Sequence, residues 1–437
     1  MSGYPALRIA VIGAGPAGIY VADALVEQTD VPATVDIFDR LPTPFGLLRY
    51  GVAPDHLKMK SMSRTLQRTL DHDNVRFFGN IELGRDLTIE ELLGDYHAVI
   101  YAFGAATDRH LGIPGEDLPG SDSARHFVSW YCGDPDTAPD AFELTAKSVA
   151  VIGLGNVALD AARVLARDPE ELAPTDVPDN VLDALRRSAV TDVHIVGRRG
   201  PQHAKFTTKE LREIGELAGV DVLMDPAALD DVGEPTETVV RRNLEVFRDW
   251  AGRSPTGAPR RIHMHFFSRP AAMLGDDQVE ALRVEHPDGS TTDIEAQLVL
   301  RSVGYRGVRL DGLPFDEESG TVPTADSRVR RDGTASGEYA CGWISRGATG
   351  VIGTNRHSAQ GTMQSVIADA DALRRRDTKP GSALEAAMAR GARPVTLEGW
   401  AAIDAEEIAR GKVRNNPRVK LAQWEELLSA ANPVTKG

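Results

Sequence analysis

Two glycine-rich segments carry the residues of this sequence best suited to chemistry. Residues 7–25 read LRIAVIGAGPAGIYVADAL, a short apolar strand followed by a glycine turn and a helical pattern. In such a turn Gly13 allows the tight bend, Gly15 lets the backbone approach a pyrophosphate, and Gly18 allows close contact between helix and strand. The N–H groups at the start of the helix offer positive potential to phosphates. The segment therefore predicts a dinucleotide-binding loop.

A second segment, residues 147–166, repeats this pattern. KSVAVIGLGNVALDAARVLA places a strand before Gly153 and Gly155. Ala158 takes the third position, where alanine still permits tight packing of the helix on the strand. Two such units predict two bound nucleotides, and the alternative is one working site beside one decayed copy.

The residues that end the second strand of each unit indicate which nucleotide binds there. VDIFD ends in Asp39, where a carboxylate would accept the ribose hydroxyls. VHIVGRRG (193–200) ends in Arg198 and Arg199, whose forked guanidinium groups suit a dianionic 2′-phosphate that would repel a carboxylate. We therefore expect FAD in the first unit and NADP(H) in the second. The alternatives are a solvated aspartate at a strand end and a solvated arginine loop.

Three later segments predict how the two units are connected. DYHAVIYAFGA (95–105) and AQLVLRSVGYRG (296–307) are buried strands that break at Gly104 and Gly304. Residues 338–367 then read as a strand, a glycine-rich turn and a helix. Pairing this late strand with the first unit implies an interrupted domain, because both ends of the chain then contribute to one sheet.

The expected fold class is α/β with two Rossmann-like dinucleotide-binding domains of the glutathione reductase type. The NADP domain is inserted into a discontinuous FAD domain. The expected boundaries are 1–105 for the first part of the FAD-binding domain, 106–319 for the NADP-binding domain, and 320–437 for the second part with a C-terminal tail.

Composition excludes several other classes of protein. The net charge of −15 argues against nucleic acid as a partner. No apolar run approaches the roughly 20 residues that a membrane span requires, and a strand so near the start leaves no room for a secretory leader. Only two cysteines occur, Cys132 and Cys341, too few and too far apart for a dithiol pair or an iron–sulfur cluster. We expect a cytoplasmic protein without a metal.

The chain resembles the adrenodoxin reductase-like ferredoxin–NADP reductases over about residues 7–424. The resemblance rests on sequence blocks more specific than a glycine loop. They are LPTPFGLLRYGVAPDH (41–56), IPGEDLPGS (113–121), GLGNVALD (153–160), GRRGPQHAKFTTKELRE (197–213), RSVGYRG (301–307) and GWISRGATGVIGTN (342–355).

This resemblance implies further cofactor contacts. For FAD it implies contacts at Ala17, Asp39, Leu47, Leu83, Trp343, Gly350, Val351 and Ile352. For NADP it implies contacts at Arg109, Asn156, Val157, Ala158, Leu159, Arg198, Arg199, Glu210 and Gly350. The family's usual glutamate is replaced by Asp39, which shortens the reach to the ribose by one methylene.

The resemblance also implies a function and two catalytic residues. FAD would receive a hydride from NADPH and pass single electrons to an iron–sulfur ferredoxin, or the reverse. His56 and Glu213 match residues implicated near the flavin and nicotinamide. From the residues alone, His56 could equally be a turn residue and Glu213 a solvated helix position. A reductase of a small molecule such as a quinone, and a non-enzymatic flavin and NADP redox sensor, remain the alternative functions.

A basic segment, Arg49 to Arg76, could receive the protein partner. It holds six basic residues against three acids: Arg49, Lys58, Lys60, Arg64, Arg68 and Arg76 against Asp55, Asp71 and Asp73. Ferredoxins are typically acidic, so complementary charge would steer their encounter with this segment. The alternative is a solvated helix face with no partner.

Overall fold

A computed structural model of the chain describes residues 5–230, 232–233, 235–331, 337–350 and 352–432. The strands are β1 (Leu7–Ile12), β2 (Ala33–Phe38), β3 (Val75–Phe78), β4 (Ala98–Tyr101), β5 (Thr107–Asp108), β6 (Ser121–Ser123), β7 (Ser148–Ile152), β8 (Asp192–Val196), β9 (Val220–Met224), β10 (Arg260–His265), β11 (Arg269–Leu274), β12 (Ala281–Glu285), β13 (Thr291–Glu295), β14 (Leu298–Arg301), β15 (Tyr305–Arg306), β16 (Thr324–Ala325), β17 (Arg328–Val329) and β18 (Glu338–Ala340).

The helices alternate with these strands along much of the chain. They are α1 (Pro16–Glu27), α2 (Leu47–Tyr50), α3 (Leu57–Lys60), α4 (Ser63–Leu70), α5 (Ile89–Asp95), α6 (Ala124–Tyr131), α7 (Asn156–Ala166), α8 (Pro169–Leu172), α9 (Asp179–Arg186), α10 (Thr208–Gly215), α11 (Thr238–Ala251), α12 (Trp343–Arg346), α13 (Thr354–Ala368), α14 (Ala370–Arg374), α15 (Ser382–Ala389), α16 (Leu397–Val413) and α17 (Trp424–Ala431). Two 3₁₀ helices cover Pro201–His203 and Pro226–Leu229. In the described ranges, no helix is long and apolar enough to cross a membrane.

The first sheet combines strands from both ends of the described chain. Its order is β16-β17-β18-β4-β1-β2-β3, and the five strands from β18 to β3 are parallel. β1 and β2 are almost continuous apolar runs because helices or loops cover both faces of a parallel sheet. The order in which strands are added to the sheet reverses between β1 and β4, and open α/β sheets bind ligands at such a point, at the carboxyl ends of their strands.

The second sheet lies entirely in the middle of the chain. Its six strands are all parallel, in the order β6-β14-β7-β8-β10-β9. The residues buried between its helix-covered face and α6, α7, α10 and α11 form a large apolar core. The other face packs on the antiparallel sheet β11-β12-β13 through a smaller apolar core.

These two sheets confirm the predicted fold class, with a second dinucleotide-binding unit inserted into a first. The chain passes between the units at β5 and β15, which pair with each other. After β15, Leu313 and Phe315 already pack in a core of the first unit that includes Ile344. This packing favours a return to the first unit near residue 307, and we propose that boundary in place of 319.

The segment after α15 packs on the first unit. Trp400 and Ile403 of α16 and Leu427 of α17 lie in the same apolar core as β1 and α1. The C-terminal tail is therefore part of the folded first unit up to residue 432.

Candidate functional site

The first glycine loop lies at the carboxyl edge of the first sheet, against the end of β4. Gly13 has φ +111°, and a Cβ there would lie 2.6 Å from the Ala102 carbonyl oxygen, so this position requires glycine. A Cβ at Gly18 would overlap the Gly13 carbonyl oxygen. These two glycines therefore serve the local fold, as the spacing predicted.

Gly15 differs because nothing crowds it closely. The nearest atom to a Cβ there would be the Gly46 Cα, 4.0 Å away. Gly15 is also the N-cap of α1, with no side chain bonded to the helix end and no acidic residue in the first turn. The Phe45 N–H donates to the Ala14 carbonyl at 2.8 Å, which brings a second chain segment alongside the loop. Open space, free N–H donors and a helix start together fit a pyrophosphate.

Asp39 lies beside this loop and helps to shape it. Its Oδ2 accepts the Ala14 N–H at 2.7 Å and its Oδ1 accepts the Leu41 N–H at 2.9 Å. Burial raises the pKa of Asp39, and the two backbone hydrogen bonds oppose that rise. Each carboxylate oxygen can accept a further hydrogen bond, so the group fits a ribose hydroxyl.

The remaining predicted FAD residues lie on several segments of the first unit. Leu47 begins α2, and Leu83 packs on the core beside β4. Trp343 begins α12, and its Nε1 donates to the Thr349 carbonyl at 3.1 Å. Ala17 lies in the first turn of α1 and contacts the turn at the end of β18, where a Cβ on Gly342 would lie 2.6 Å from the Ala17 Cβ.

The glycine-rich turn before α13 is described only in part. Gly350 is exposed and has φ +82°. Ile352 is partly buried and packs against the apolar core that contains β1 and α1. Val351 lies outside the described residues. α13 begins after this turn with no side-chain cap, as expected for a helix start that faces a ligand.

The second glycine loop repeats the geometry of the first. Gly153 has φ +146°, and a Cβ there would lie 2.3 Å from the Ser302 carbonyl oxygen at the end of β14. A Cβ at Gly155 would meet no described atom within 4 Å. Gly155 caps α7 without any side-chain hydrogen bond. The second loop therefore also leaves space and donors for phosphates.

The start of α7 separates the predicted NADP residues into two groups. Ala158 and Leu159 are fully buried, and their N–H groups both donate to the Gly155 carbonyl. Asn156 and Val157 are half-buried and lie at the open end of the helix. The Asn156 Oδ1 accepts the Thr207 N–H at 2.9 Å, which holds the chain after β8 alongside the loop.

Arg198 and Arg199 follow β8, the neighbour of β7 in the sheet, and both are exposed. The Gly153 N–H donates to the Val196 carbonyl at 2.9 Å. Arg198 follows Val196 by two residues, so the arginine pair lies close to the second glycine loop. Neither guanidinium has an acidic partner within the described part of the chain. Arg109 is exposed as well, and its stem lies beside Gly304 after β14. In an acidic chain, unpaired arginines at this edge fit a phosphate ligand.

His56 lies between the two units, in a buried cluster of charged groups. Its Nε2 is 3.0 Å from Asp160 Oδ1 and 2.8 Å from Arg163 Nη2, both on α7 of the second unit. Arg163 also donates to Asp55 at 2.6 and 3.0 Å, and Arg167 reaches Asp55 at 2.7 Å. The cluster therefore joins the segment before α3 to the helix that follows the second glycine loop.

The two contacts of His56 Nε2 require different protonation. Arg163 can only donate, so it needs a bare nitrogen, whereas Asp160 needs an N–H. Burial would lower the pKa of His56, but the hydrogen bond and charge of Asp160 outweigh it, and the pKa is raised. The cluster thus favours an Nε2–H that donates to Asp160.

The structure brings Glu210, rather than Glu213, close to this cluster. Glu210 is buried in the first turn of α10, and its carboxylate accepts a hydrogen bond from the Thr207 hydroxyl at 2.8 Å. Burial raises the pKa of Glu210. The charge of Asp160 also raises the pKa of Glu210, and the charge of His56 lowers it. Glu213 lies one turn further on and pairs with Lys209 at 2.9 Å.

The structure divides the six basic residues predicted for docking. Arg49 is buried and paired with Glu407, so it is not available to a partner, and that part of the prediction is wrong. The side chain of Lys60 is only 13% exposed and is paired with Asp176 at 2.8 Å, so Lys60 is not available to a partner either. Lys58, Arg64 and Arg68 are exposed on α3 and α4.

Arg76 does not share a surface with these three residues. It alternates on β3 with Val75 and Phe77, which pack in the same core as α4. Successive strand residues face opposite sides of a sheet, so Arg76 lies on the other face, bonded to Asp36. It is therefore not part of the docking surface that the sequence predicted.

Sequence reasoning missed Asp55, Asp160 and Arg163 as members of the site. Asp160 and Arg163 are three residues apart, so they share one face of α7, and Arg167 follows at the C-cap of that helix. Charged residues at this spacing in a helix that otherwise packs in a core were the available signal. Among the described residues, no cluster of side chains could hold a metal ion.

Comparison with known proteins identifies the class of this chain. Residues 7–246 match the model of the family described as pyridine nucleotide-disulphide oxidoreductase. The chain belongs to this family. It is 42% identical to the NADPH-ferredoxin reductase FprA of Mycobacterium tuberculosis, over 96% of this chain and 98% of that one. It is 38% identical to the mitochondrial NADPH:adrenodoxin oxidoreductase of Arabidopsis thaliana, over 97% and 95% of the two chains.

A solved structure of a relative agrees with the fold. The structure of Mycobacterium tuberculosis FprA in complex with NADPH superposes with a TM-score of 0.92 at 41% identity. The match covers 98% of this chain and all of that one. The predicted resemblance to adrenodoxin reductase-like ferredoxin–NADP reductases is thus confirmed.

Proposed function

We propose that this chain is an FAD-dependent ferredoxin–NADP(+) reductase. The observation that carries the proposal is a pair of glycine loops, each before an uncapped helix start. Arg198 and Arg199 lie beside the second loop, without an acidic partner among the described residues. Relatives that share about two-fifths of its residues are named NADPH-ferredoxin reductase, which supports the same function.

FAD fits the first unit. Gly13, Gly15 and Gly18 shape the loop, the first turn of α1 offers N–H donors to the pyrophosphate, and Asp39 accepts the ribose hydroxyls. The other residues proposed to line the flavin are Ala17, Leu47, Leu83, Trp343, Gly350, Val351 and Ile352.

NADP(H) fits the second unit. Arg198 and Arg199 would bind the 2′-phosphate, and the open start of α7 at Asn156 and Val157 would bind the pyrophosphate. For Ala158 and Leu159 we propose packing behind the loop rather than direct contact, because both are buried. Arg109, Glu210 and Gly350 complete the proposed site.

The residues between the units would position the two cofactors. When bound, FAD would supply the chemistry that couples hydride transfer from NADPH to the transfer of single electrons to a ferredoxin cluster. His56, held by its hydrogen bond to Asp160, ties the flavin unit to α7 and holds a proton at Nε2. We propose His56 and Glu213 as the residues nearest the electron transfer, with Glu210 as a further candidate because it shares the His56 environment.

An acidic ferredoxin is the proposed partner, docked on the surface formed by Leu57, Lys58, Arg64 and Arg68. Leu57 is an exposed apolar side chain, 50% accessible, next to Lys58 in α3, and Arg64 and Arg68 lie in the following helix, α4. An apolar centre with a charged rim is typical of a protein interface. Reversing the charge of Arg64 and Arg68 should slow ferredoxin-dependent turnover and spare ferricyanide reduction. The matched control is Arg187→Glu, an exposed arginine of the second unit, and an equal loss with both acceptors would refute this surface.

A cytoplasmic location is proposed because Cys132 and Cys341 are both free. The function itself is tested by NADPH-driven cytochrome c reduction with and without a ferredoxin from the same organism. Strong stimulation by ferredoxin supports the proposal. Rapid reduction of a quinone without any effect of ferredoxin would favour a small-molecule reductase instead, and slow flavin reduction by NADPH would favour a redox sensor.

A further inference from the structure

The chain after α16 forms a strap, residues 414–424, that contacts both units. Its apolar residues Val419 and Leu421 are buried, and Leu421 lies in the apolar core of the first unit that contains β1 and α1. The Leu421 N–H donates to Glu407 Oε1 at 2.9 Å, and the Val419 N–H donates to the Glu407 carbonyl at 3.0 Å. The strap is therefore fixed to the first unit through α16.

The polar groups of the same strap reach the second unit. Asn416 Nδ2 donates to the Ala173 carbonyl at 2.5 Å, and Arg414 pairs with Asp179. At the other end, Trp424 Nε1 donates to Asp136 Oδ1 at 2.9 Å. The strap thus links two units that the chain itself connects through β5 and β15.

Lys420, at the middle of the strap, bonds to both units with one ammonium group. Its Nζ donates to the Arg49 carbonyl of α2 at 2.7 Å and to the Cys132 carbonyl after α6 at 2.8 Å, and it lies 3.4 Å from Asp176 Oδ2. Three acceptors match its three N–H donors. The side chain is 2% exposed, so water cannot replace these partners.

The contacts of Lys420 surround the segment that carries the proposed site. Arg49 lies in α2, two residues after Leu47 and seven residues before His56. Asp176 also accepts Lys60 at 2.8 Å, at the end of α3. Lys420 therefore bonds directly to the start of the segment that presents His56, and it shares the acceptor Asp176 of the second unit with Lys60 at the end of α3.

We infer that Lys420 is a positioning residue for hydride transfer, because it fixes the orientation of the NADP unit relative to the flavin unit. The inference rests on the proposed function. Units joined by two chain crossings usually move relative to each other unless further contacts hold them. Hydride transfer requires reacting atoms about 3–3.5 Å apart, and a 1 Å misplacement costs up to about 100-fold in rate.

The test is stopped-flow reduction of the bound flavin by saturating NADPH, combined with titration of NADP+ into the oxidised protein. Lys420→Met keeps an unbranched side chain, one atom shorter, and removes its donors. We expect its reduction rate to fall about tenfold or more. Its dissociation constant for NADP+ should stay within about twofold, because the proposed binding groups, apart from Gly350, lie in the second unit.

Two variants make this test specific. Lys412→Met removes an exposed lysine of α16 and should react like the wild type. Lys420→Arg can donate to the same carbonyls and should recover part of the rate. If Lys420→Met does not retain flavin, Trp424→Phe keeps an aromatic ring but removes the hydrogen bond at the end of the strap, and it should slow reduction about two- to fivefold.

Failure of this inference can be distinguished from failure of the proposed function. If NADPH does not bleach the flavin bound to the wild-type protein, the role of Lys420 and the proposed function are both overturned. A wild-type flavin that bleaches, with equal rates in flavin-loaded Lys420→Met or Trp424→Phe, would overturn only the role of Lys420. A loss that appears in NADP+ affinity instead of in the reduction rate would also overturn it.

Discussion

Replacing Arg198 and Arg199 with alanine should convert the preference for NADP(H) into indifference between NADP(H) and NAD(H). Both side chains are exposed at the end of β8 and have no acidic partner in the described part of the chain. Their removal therefore costs no internal ion pair, and protein stability should change little. The loss should appear only with ligands that carry a 2′-phosphate.

The size of this loss follows from the exposure of the two side chains. A hydrogen bond to a charged group contributes about 1.5–3 kcal/mol, and solvent screening places an exposed pair at the lower end. About 1.5 kcal/mol corresponds to roughly tenfold in a dissociation constant. We expect about tenfold for each single variant and about 50- to 100-fold for the double variant, since neighbouring contacts are not fully additive.

Isothermal titration of NADP+, NAD+ and 2′,5′-ADP into the oxidised protein measures this directly. Arg187→Ala is the matched control, because Arg187 is also exposed but precedes the amino end of β8. It should leave all three constants unchanged. Equal losses for NADP+ and NAD+ in the double variant would refute the assignment of the arginine pair to the 2′-phosphate.

Three further perturbations test other parts of the account. Gly153→Ala should strongly destabilise the fold, because its Cβ would lie 2.3 Å from the Ser302 carbonyl oxygen, whereas Gly155→Ala should melt within a few degrees of the wild type and bind NADP+ more weakly. Calorimetric melting and ligand titration separate these two effects. Asp39→Asn should release FAD more readily during gel filtration, since it weakens acceptance of the Ala14 N–H; unchanged flavin content would contradict this. The raised pKa of His56 means that its protonated form stabilises the fold below the unfolded value of 6.5 and that this contribution is lost as pH rises through the folded pKa. The difference in unfolding free energy between wild type and His56→Gln should therefore shrink with rising pH, and a constant difference would exclude the Asp160 interaction as its source.

The glycine loops and the strand ends beside them could be predicted from sequence because their chemistry is local. Gly13 and Gly153 adopt positive φ in the turn directly after a strand, and Arg198 follows its strand after one residue, Gly197. Parallel strands bring their carboxyl ends to one edge, so the relation between these segments follows from the fold class. The inserted second unit was predictable for the same reason.

The charged contacts between distant segments could not be predicted. Arg49 pairs with Glu407 across 358 positions of the sequence, and no spacing rule connects them. Arg49 therefore looks like a surface cation in the sequence but is buried in the structure. Arg76 was misplaced because adjacent residues of a strand face opposite sides of the sheet, whereas a count of charges along the segment ignores this alternation. Lys420 was missed because its partners come from two different units.

The most direct test of the central claim is a sequential-mixing experiment on the purified protein under anaerobic conditions. The first mix, with one equivalent of NADPH, should bleach the flavin absorbance. The second mix, with oxidised ferredoxin, should restore it while about two ferredoxin molecules are reduced for each flavin. A flavin that bleaches with NADPH but is reoxidised only by a quinone, and never by ferredoxin, would contradict the account.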